Sequence, residues 1–156
     1  MNGKIVGTVL ILSGLVAGIG LYYTQVYAYY GEVEEQAAAS ITLQAAGTGG
    51  DRDLPVTDLV SVDKDSSPLG YRACFKVSNS LAMLTETYAL IDAVPLEAPE
   101  WFDCFDADEI GLAIEEGRAL TFLGQHEIRD GVDRVIAVFD DGRGFAWHQL
   151  NEKYKD

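Results

Sequence analysis

This sequence predicts an N-terminal transmembrane helix followed by one small α+β domain, and three observations carry that expectation. Residues 5–31 carry no charged side chain. A capping-box sequence, Asp106-Ala107-Asp108-Glu109, starts a helix in the second half. Behind it come three runs rich in strand-forming residues, separated by glycine-containing turns. The 156 residues are 48% hydrophobic, which excludes a solvated, disordered main body. They hold 11 basic and 25 acidic side chains, and Lys4 is the only charged one before Glu32. Residues 32–156 therefore keep 10 basic and 25 acidic groups, a balance of -15. Nucleic acid is excluded as a partner, because phosphate binding needs clustered Lys and Arg.

The apolar run from Ile5 to Tyr23 would span roughly 28 Å as a helix, close to the hydrocarbon thickness of a bilayer. Lys4 precedes it and Glu32, Glu34 and Glu35 follow. The positive-inside bias then puts the N-terminus in the cytoplasm and everything after the span outside. Five of the eight tyrosines (Tyr22, Tyr23, Tyr27, Tyr29 and Tyr30) crowd the exit, where their amphipathic rings suit the headgroup layer. A cleaved signal peptide is the alternative, with a site after Ala28. The long apolar stretch and the bulky tyrosines favour a retained anchor. Gly7, Gly14 and Gly18 are spaced by seven and four, which places them on one helix face as a groove for another helix. A membrane-protein partner fits that groove better than a second copy, because the acidic outer domains of two copies would repel.

Four stretches follow from this reading: an anchor over 1–31, a helical or flexible stalk over 32–40, an outer domain over 41–151 and a fraying polar tail over 152–156. Within the outer domain, Ile41 and Leu43 alternate with polar residues, residues 47–53 (GTGGDRD) read as a turn cluster, and 54–62 as an irregular extended run. Tyr71, Ala73, Phe75 and Val77 alternate with Arg72, Cys74 and Lys76, the pattern of a strand with one buried face. Residues 80–90 fit a helix, through Leu81, Leu84 and Tyr88, or a strand. After the capped helix, with Ile110, Ala113 and Ile114 inward and Gly117 ending it, strands are expected at 119–128, 133–139 and 145–150. They form a meander whose turns are Arg129-Asp130-Gly131 and Asp140-Asp141-Gly142-Arg143.

Cys74 and Cys104 are the only cysteines, and outside the cytoplasmic membrane an even pair is most simply a disulfide. The two histidines, His126 and His148, each alternate with apolar neighbours, so both read as hydrogen-bonded core residues. A metal site joining them with Glu127 or Asp130 is the rival. Asp103, Asp106, Asp108 and Glu109 cluster at a helix start, where capping explains them, and the EF-hand spacing is absent. Trp101, Phe102 and Phe105 read as packing under the disulfide rather than as an exposed dock. Phosphate-binding loops and a nucleophile elbow are missing. No catalytic residue and no cofactor are assigned.

Several runs taken together carry a resemblance: MNGK before the span and QVYAYY at its exit, DKDSSPLGYRACF with LAMLTETY, and WFDCFDADEIG through GVDRVIAVFDDGRGFAWHQ. Over nearly the whole chain they resemble a family of small single-span proteins of alphaproteobacteria that carry a domain of unknown function. The resemblance implies no activity. A histidine-kinase label attached to some such sequences is unsupported, because the chain has no phosphoacceptor box and no glycine-rich ATP-binding domain. Relatives are expected to continue beyond the position of Leu150. The functional expectation is a non-enzymatic, membrane-anchored periplasmic accessory protein of a membrane complex. The alternatives are a metal-binding or enzymatic module using His126, His148 or the acidic residues near Asp106, and an envelope sensor that binds a small ligand.

Overall fold

The computed structural model describes residues 2–47 and 50–154, with residues 32–39 described by their backbone alone. Helix α1 (Gly3–Tyr23) continues through a π-helical turn (Thr24–Ala28), giving one apolar rod of 26 residues with mean hydropathy 2.2 and no buried residue. By length and composition it is long enough to cross a bilayer. Its serine and threonine hydroxyls are satisfied internally: Thr8, Ser13 and Thr24 donate to the carbonyls of Lys4, Leu10 and Leu21 at 2.9, 3.0 and 3.0 Å.

The remainder is the α+β domain, built on an antiparallel sheet in the order β1-β2-β3-β6-β5-β4. Its strands are β1 (Tyr30–Gln44), β2 (Asp51–Lys64), β3 (Arg72–Lys76), β4 (Ala119–Arg129), β5 (Val132–Phe139) and β6 (Arg143–Leu150). Two short helices, α2 (Leu81–Thr87) and α3 (Ala107–Glu115), complete it. Strands β4, β5 and β6 form the expected meander, and Gly131 and Gly142 occupy its turns with φ of 71° and 88°, which a side chain would resist. The ambiguous 80–90 segment divides into α2, capped by Ser80 accepting from Met83 N, and an extended piece beyond it.

The structure departs from expectation in four places. Residues 32–40 are neither helical nor a free stalk but lie inside β1, paired with β2 from Tyr30 opposite Lys64 to Gln44 opposite Asp51. Backbone pairing overrides the weak strand propensity of an Ala/Glu run. The turn cluster at 47–53 overlaps the start of β2, and residues 48 and 49 lie outside the described residues. Strand β3 is central rather than half-solvated, so Arg72, Cys74 and Phe75 are all buried. Residues 152–154 fold back over the β4–β5 turn, where Tyr154 packs on Gly131 and its hydroxyl donates to Asp130 at 3.0 Å. The last two tail residues lie outside the described residues.

The sheet rolls up, and residues 88–91 close it. On one side Ala46 N donates to Thr87 O and Ala89 N to Gln44 O, both at 2.9 Å. On the other, Ile91 N donates to Thr121 O at 3.1 Å and Leu123 N to Ala89 O at 2.9 Å. A short bridge thus spans the two edge strands, β1 and β4, and consumes hydrogen-bonding groups that an open edge would expose. Irregularities in register at 33/36, 57/60 and 123/129 supply curvature. The inner core collects Leu43, Leu54, Phe75, Leu84, Phe122 and Ile136. The outer face of β3, β5 and β6 carries a second core, where Ile110 and Ala113 of α3 and Phe105 meet Val135, Phe139, Phe145 and Trp147.

Cys74 and Cys104 form a disulfide with a Cα–Cα separation of 6.3 Å and a sequence separation of 30. It fastens β3 to the irregular segment that leads into α3. Closing a loop of this size stabilises by about 3 to 4 kcal/mol on chain-entropy grounds. Cys74→Ala/Cys104→Ala should lose that much in urea unfolding of the detergent-solubilised chain. A loss below about 1 kcal/mol would show that the remaining contacts hold the segment unaided.

Candidate functional site

Residues 92–105 cross the outer face of the sheet without regular structure, so their backbone polar groups need partners elsewhere. Three sheet side chains supply them. Arg72 Nε donates to Leu96 O at 2.9 Å and Glu97 O at 3.1 Å, Nη1 to Leu69 O at 2.8 Å and Tyr71 O at 2.6 Å, and Nη2 to Glu97 O at 2.9 Å. The guanidinium is buried over the Phe105 ring, 5.7 Å from its centroid, and burial holds its pKa below the usual arginine value. Carbonyl dipoles, in place of a bonded carboxylate, stabilise this charge. Gln149 Oε1 accepts from Val94 N at 3.3 Å while its Nε2 donates to Asp92 O at 3.2 Å, and the Thr121 hydroxyl donates to Ile91 O.

Two clefts result. The larger, about 370 Å³, lies between Leu69, Ala93, Val94, Leu96, Ile114 and Leu150, with Thr121 and Gln149 among its lining residues. It is apolar, and both of these polar side chains are already bonded to the backbone of residues 91–94. The smaller, about 220 Å³, includes His126, Glu127, Asp133, Gln149, Asn151 and Lys153. Asp133 is buried there, and its Oδ1 accepts from Glu127 N at 2.8 Å and Asn151 Nδ2 at 3.1 Å and lies 3.0 Å from His126 Nδ1. A carboxylate so placed orients the imidazole, but no hydroxyl or thiol side chain lines the cleft to act as a nucleophile beside it.

His126 is therefore not a core residue: its side chain is 58% exposed. The irregular pairing of β4 between Leu123 and Arg129, with Glu127 at a φ of 46°, turns His126 to the outer face that alternation had denied it. His148 is buried. It stacks on Tyr71 at 4.8 Å, and its Nδ1 lies 2.9 Å from Pro68 O while Nε2 accepts from Arg134 Nε at 3.2 Å. The two histidines contact adjacent residues of β5, Asp133 and Arg134, whose side chains point to opposite sheet faces, so they do not share a site. Asp106 is occupied as the cap of α3, accepting from Glu109 N at 2.9 Å, while Glu109 turns to Arg143 Nη1 at 2.9 Å. Among the described residues no three His, Cys, Asp or Glu side chains converge as metal ligands.

Of the three aromatic residues near Cys104, only Phe105 is fully buried, edge-on to Phe145 and Trp147 at 5.9 and 6.2 Å. Trp101 turns instead toward α1. Its Nε1 donates to Val26 O at 2.8 Å, and its ring meets Tyr30 edge-on at 6.1 Å. Nothing lies within 4 Å of a Cβ placed on Gly7, Gly14 or Gly18, so the glycine face of α1 is open in the single chain. Alternation missed Arg72, Gln149 and Trp101 as organising residues. Arg72 is the one with a sequence signal, a cation two positions from a cysteine and followed by Ala73, Cys74 and Phe75.

The architecture is that of a single apolar N-terminal helix bearing a small, disulfide-bonded α+β domain. The chain belongs to the DUF6446 family, a family of unknown function, whose match covers residues 41–156. No curated protein and no solved structure matches it.

The bonds of His148 specify a neutral ring: Nδ1–H donates to Pro68, and Nε2 must remain an acceptor for Arg134. Burial lowers its pKa to about 4, with the Arg134 charge acting in the same direction and the Pro68 hydrogen bond against it. The unfolded chain binds a proton near pH 6.5, whereas the folded chain does so only near 4. The stability is thus complete above pH 6.5 and lost as pH falls toward 4. Between about pH 7 and pH 5 this one group should cost about 2 kcal/mol. His148→Asn, which keeps a donor near Pro68, should flatten the pH dependence of urea unfolding by that amount. An unchanged slope would refute the neutral-ring assignment.

Proposed function

We propose that this protein is a membrane-anchored, non-enzymatic accessory protein of an alphaproteobacterial inner membrane. Its N-terminus lies in the cytoplasm, its outer domain lies in the periplasm, and it joins a membrane complex through its span. The observation that carries the reading is the 26-residue apolar rod with no buried residue, whose apolar surface its own domain leaves uncovered and which needs lipid or another helix around it. The open face of Gly7, Gly14 and Gly18 supports a helix partner, since missing side chains let a second backbone come close. Lys4 in the first turn of the rod and the acidic excess after it support the orientation. The disulfide fits an oxidising compartment. A second reading, an envelope sensor for a small ligand, is favoured by the apolar cleft of about 370 Å³.

A C-terminal reporter active only in the periplasm should be active, and the mature chain should retain Met1. A mature N-terminus at Tyr29 would replace the anchor with a signal peptide. Gly14→Ile/Gly18→Ile should lose co-purifying membrane proteins while the domain stays folded and disulfide-bonded. Recovery of the same partners at wild-type yield would remove the span as the binding surface.

A further inference from the structure

We propose that Trp101 is a membrane-surface dock that seats the outer domain on the lipid headgroup layer, so that the domain does not swing on a tether. The inference rests on the membrane-anchored reading above and adds a contact surface to it. Its first ground is height. From Ile5, the first residue past Lys4, to Val26 a helix rises about 32 Å, just beyond a hydrocarbon core of about 30 Å. Trp101 donates its indole N–H to the Val26 carbonyl at 2.8 Å, so its ring sits at the level where the span leaves the hydrocarbon. Indole favours that level, with an apolar face toward the acyl chains and an N–H that needs a polar partner.

The second ground is the lack of slack. The helical rod ends at Ala28 and β1 begins at Tyr30, already paired with Lys64 of β2. The Tyr30 ring meets Trp101 edge-on at 6.1 Å, and the Lys64 ammonium stands 5.1 Å from the centre of the same ring. Tyr22, Tyr23, Tyr27 and Tyr29 are exposed around the same exit. Rod, first strand and docking loop therefore share one band of amphipathic aromatic residues carrying a cation at phosphate height. The third ground is support for the loop. Phe102 N donates to Pro99 O at 2.8 Å and Phe105 N to Phe102 O at 3.2 Å, and the Cys74–Cys104 bridge fastens the loop to β3. Glu100 and Asp103 flank Trp101 and Phe102 and are exposed, and Phe102 packs against the outer core, which limits insertion to the Trp101 ring.

The test uses the full chain in phosphatidylcholine vesicles whose lipids carry bromine on one acyl chain, near either the headgroup end or the methyl end. Trp147 is fully buried and its Nε1 has no hydrogen-bond partner among the described residues, so Trp147→Phe breaks no bond and leaves Trp101 as the sole indole. Bromines near the headgroup should quench most of the emission of that variant, and bromines near the methyl end much less. In the second variant, Trp101→Phe, with the core indole alone, the emission should be insensitive to either lipid, which also serves if Trp147→Phe folds poorly. Reduction of the disulfide should weaken the quenching while the protein still floats with the vesicles. Vesicle-bound protein whose Trp101 is unquenched by either lipid would overturn the dock and leave the anchor standing. Protein that fails to float would overturn both.

Discussion

An irregular segment laid across a sheet has backbone groups with no ladder to join, and the rest of this structure depends on how residues 92–105 meet that need. Arg72 answers most of it, because one guanidinium presents five donors in a fixed fork and four carbonyls converge on it. A lysine could not replace it, since three donors on a flexible stem cannot reach carbonyls on both sides of the strand. With the segment fixed, Cys104 comes within bridging distance of Cys74 and Phe105 reaches the outer core. Trp101 is then presented to Val26. The apolar cleft is a by-product of the same arrangement, being the space left between the segment and the helix and loop residues Ile114 and Leu69.

Closure of the sheet and coverage of its outer face are coupled through residues 88–91. The bridge between β1 and β4 delivers the chain at Ile91 to the edge of β4, and from there it runs over the outside of the sheet. Thr121 marks the transition. Its backbone carbonyl accepts from Ile91 N while its hydroxyl donates to Ile91 O, so one residue of β4 both ends the bridge and begins the cover. The interior stays apolar because its polar groups are gathered at one place, where His148, Tyr71 and Arg134 stack in series. The Arg134 guanidinium lies 4.2 Å from the centre of the Tyr71 ring.

What the sequence made legible was local. The cap at Asp106, the two glycine turns and the meander are written in a few adjacent residues each, and the disulfide needed only a count of two. What it concealed depends on distant pairing. The Ala/Glu run at 32–40 has no strand signature, and only β2 opposite it makes it a strand. Alternation around Arg72 was correctly seen but wrongly interpreted, because a central strand with cover on both faces gives an arginine no water to face. His126 failed for another reason. A bulge inverts alternation beyond it, and the residue in the left-handed region, Glu127, is not a glycine that would have announced it. Trp101 was placed with the correct neighbours in sequence and the wrong ones in space. Nothing in its surroundings points seventy-five positions back to Val26.

On the proposed reading, the mount at Val26 and the glycine stripe would divide the rod between two tasks. At 3.6 residues per turn, Gly7, Gly14 and Gly18 fall within a narrow sector of α1, and Val26 lies beyond its end, in the π-helical turn. The domain meets the rod at this exit turn, through Trp101, and the stripe stays clear, with open space around all three glycines. A helix seated in that groove would meet no part of the domain within the membrane and would emerge beside the aromatic band. Trp101 and the Cys74–Cys104 bridge would then be close to whatever that helix carries outward. The outer domain, at -15, would face the partner with carboxylates, so a partner with a basic collar at the membrane surface is the electrostatically matched one. Attraction of that kind sets orientation and encounter rate more than affinity, while the close backbone packing in the groove supplies the holding contacts.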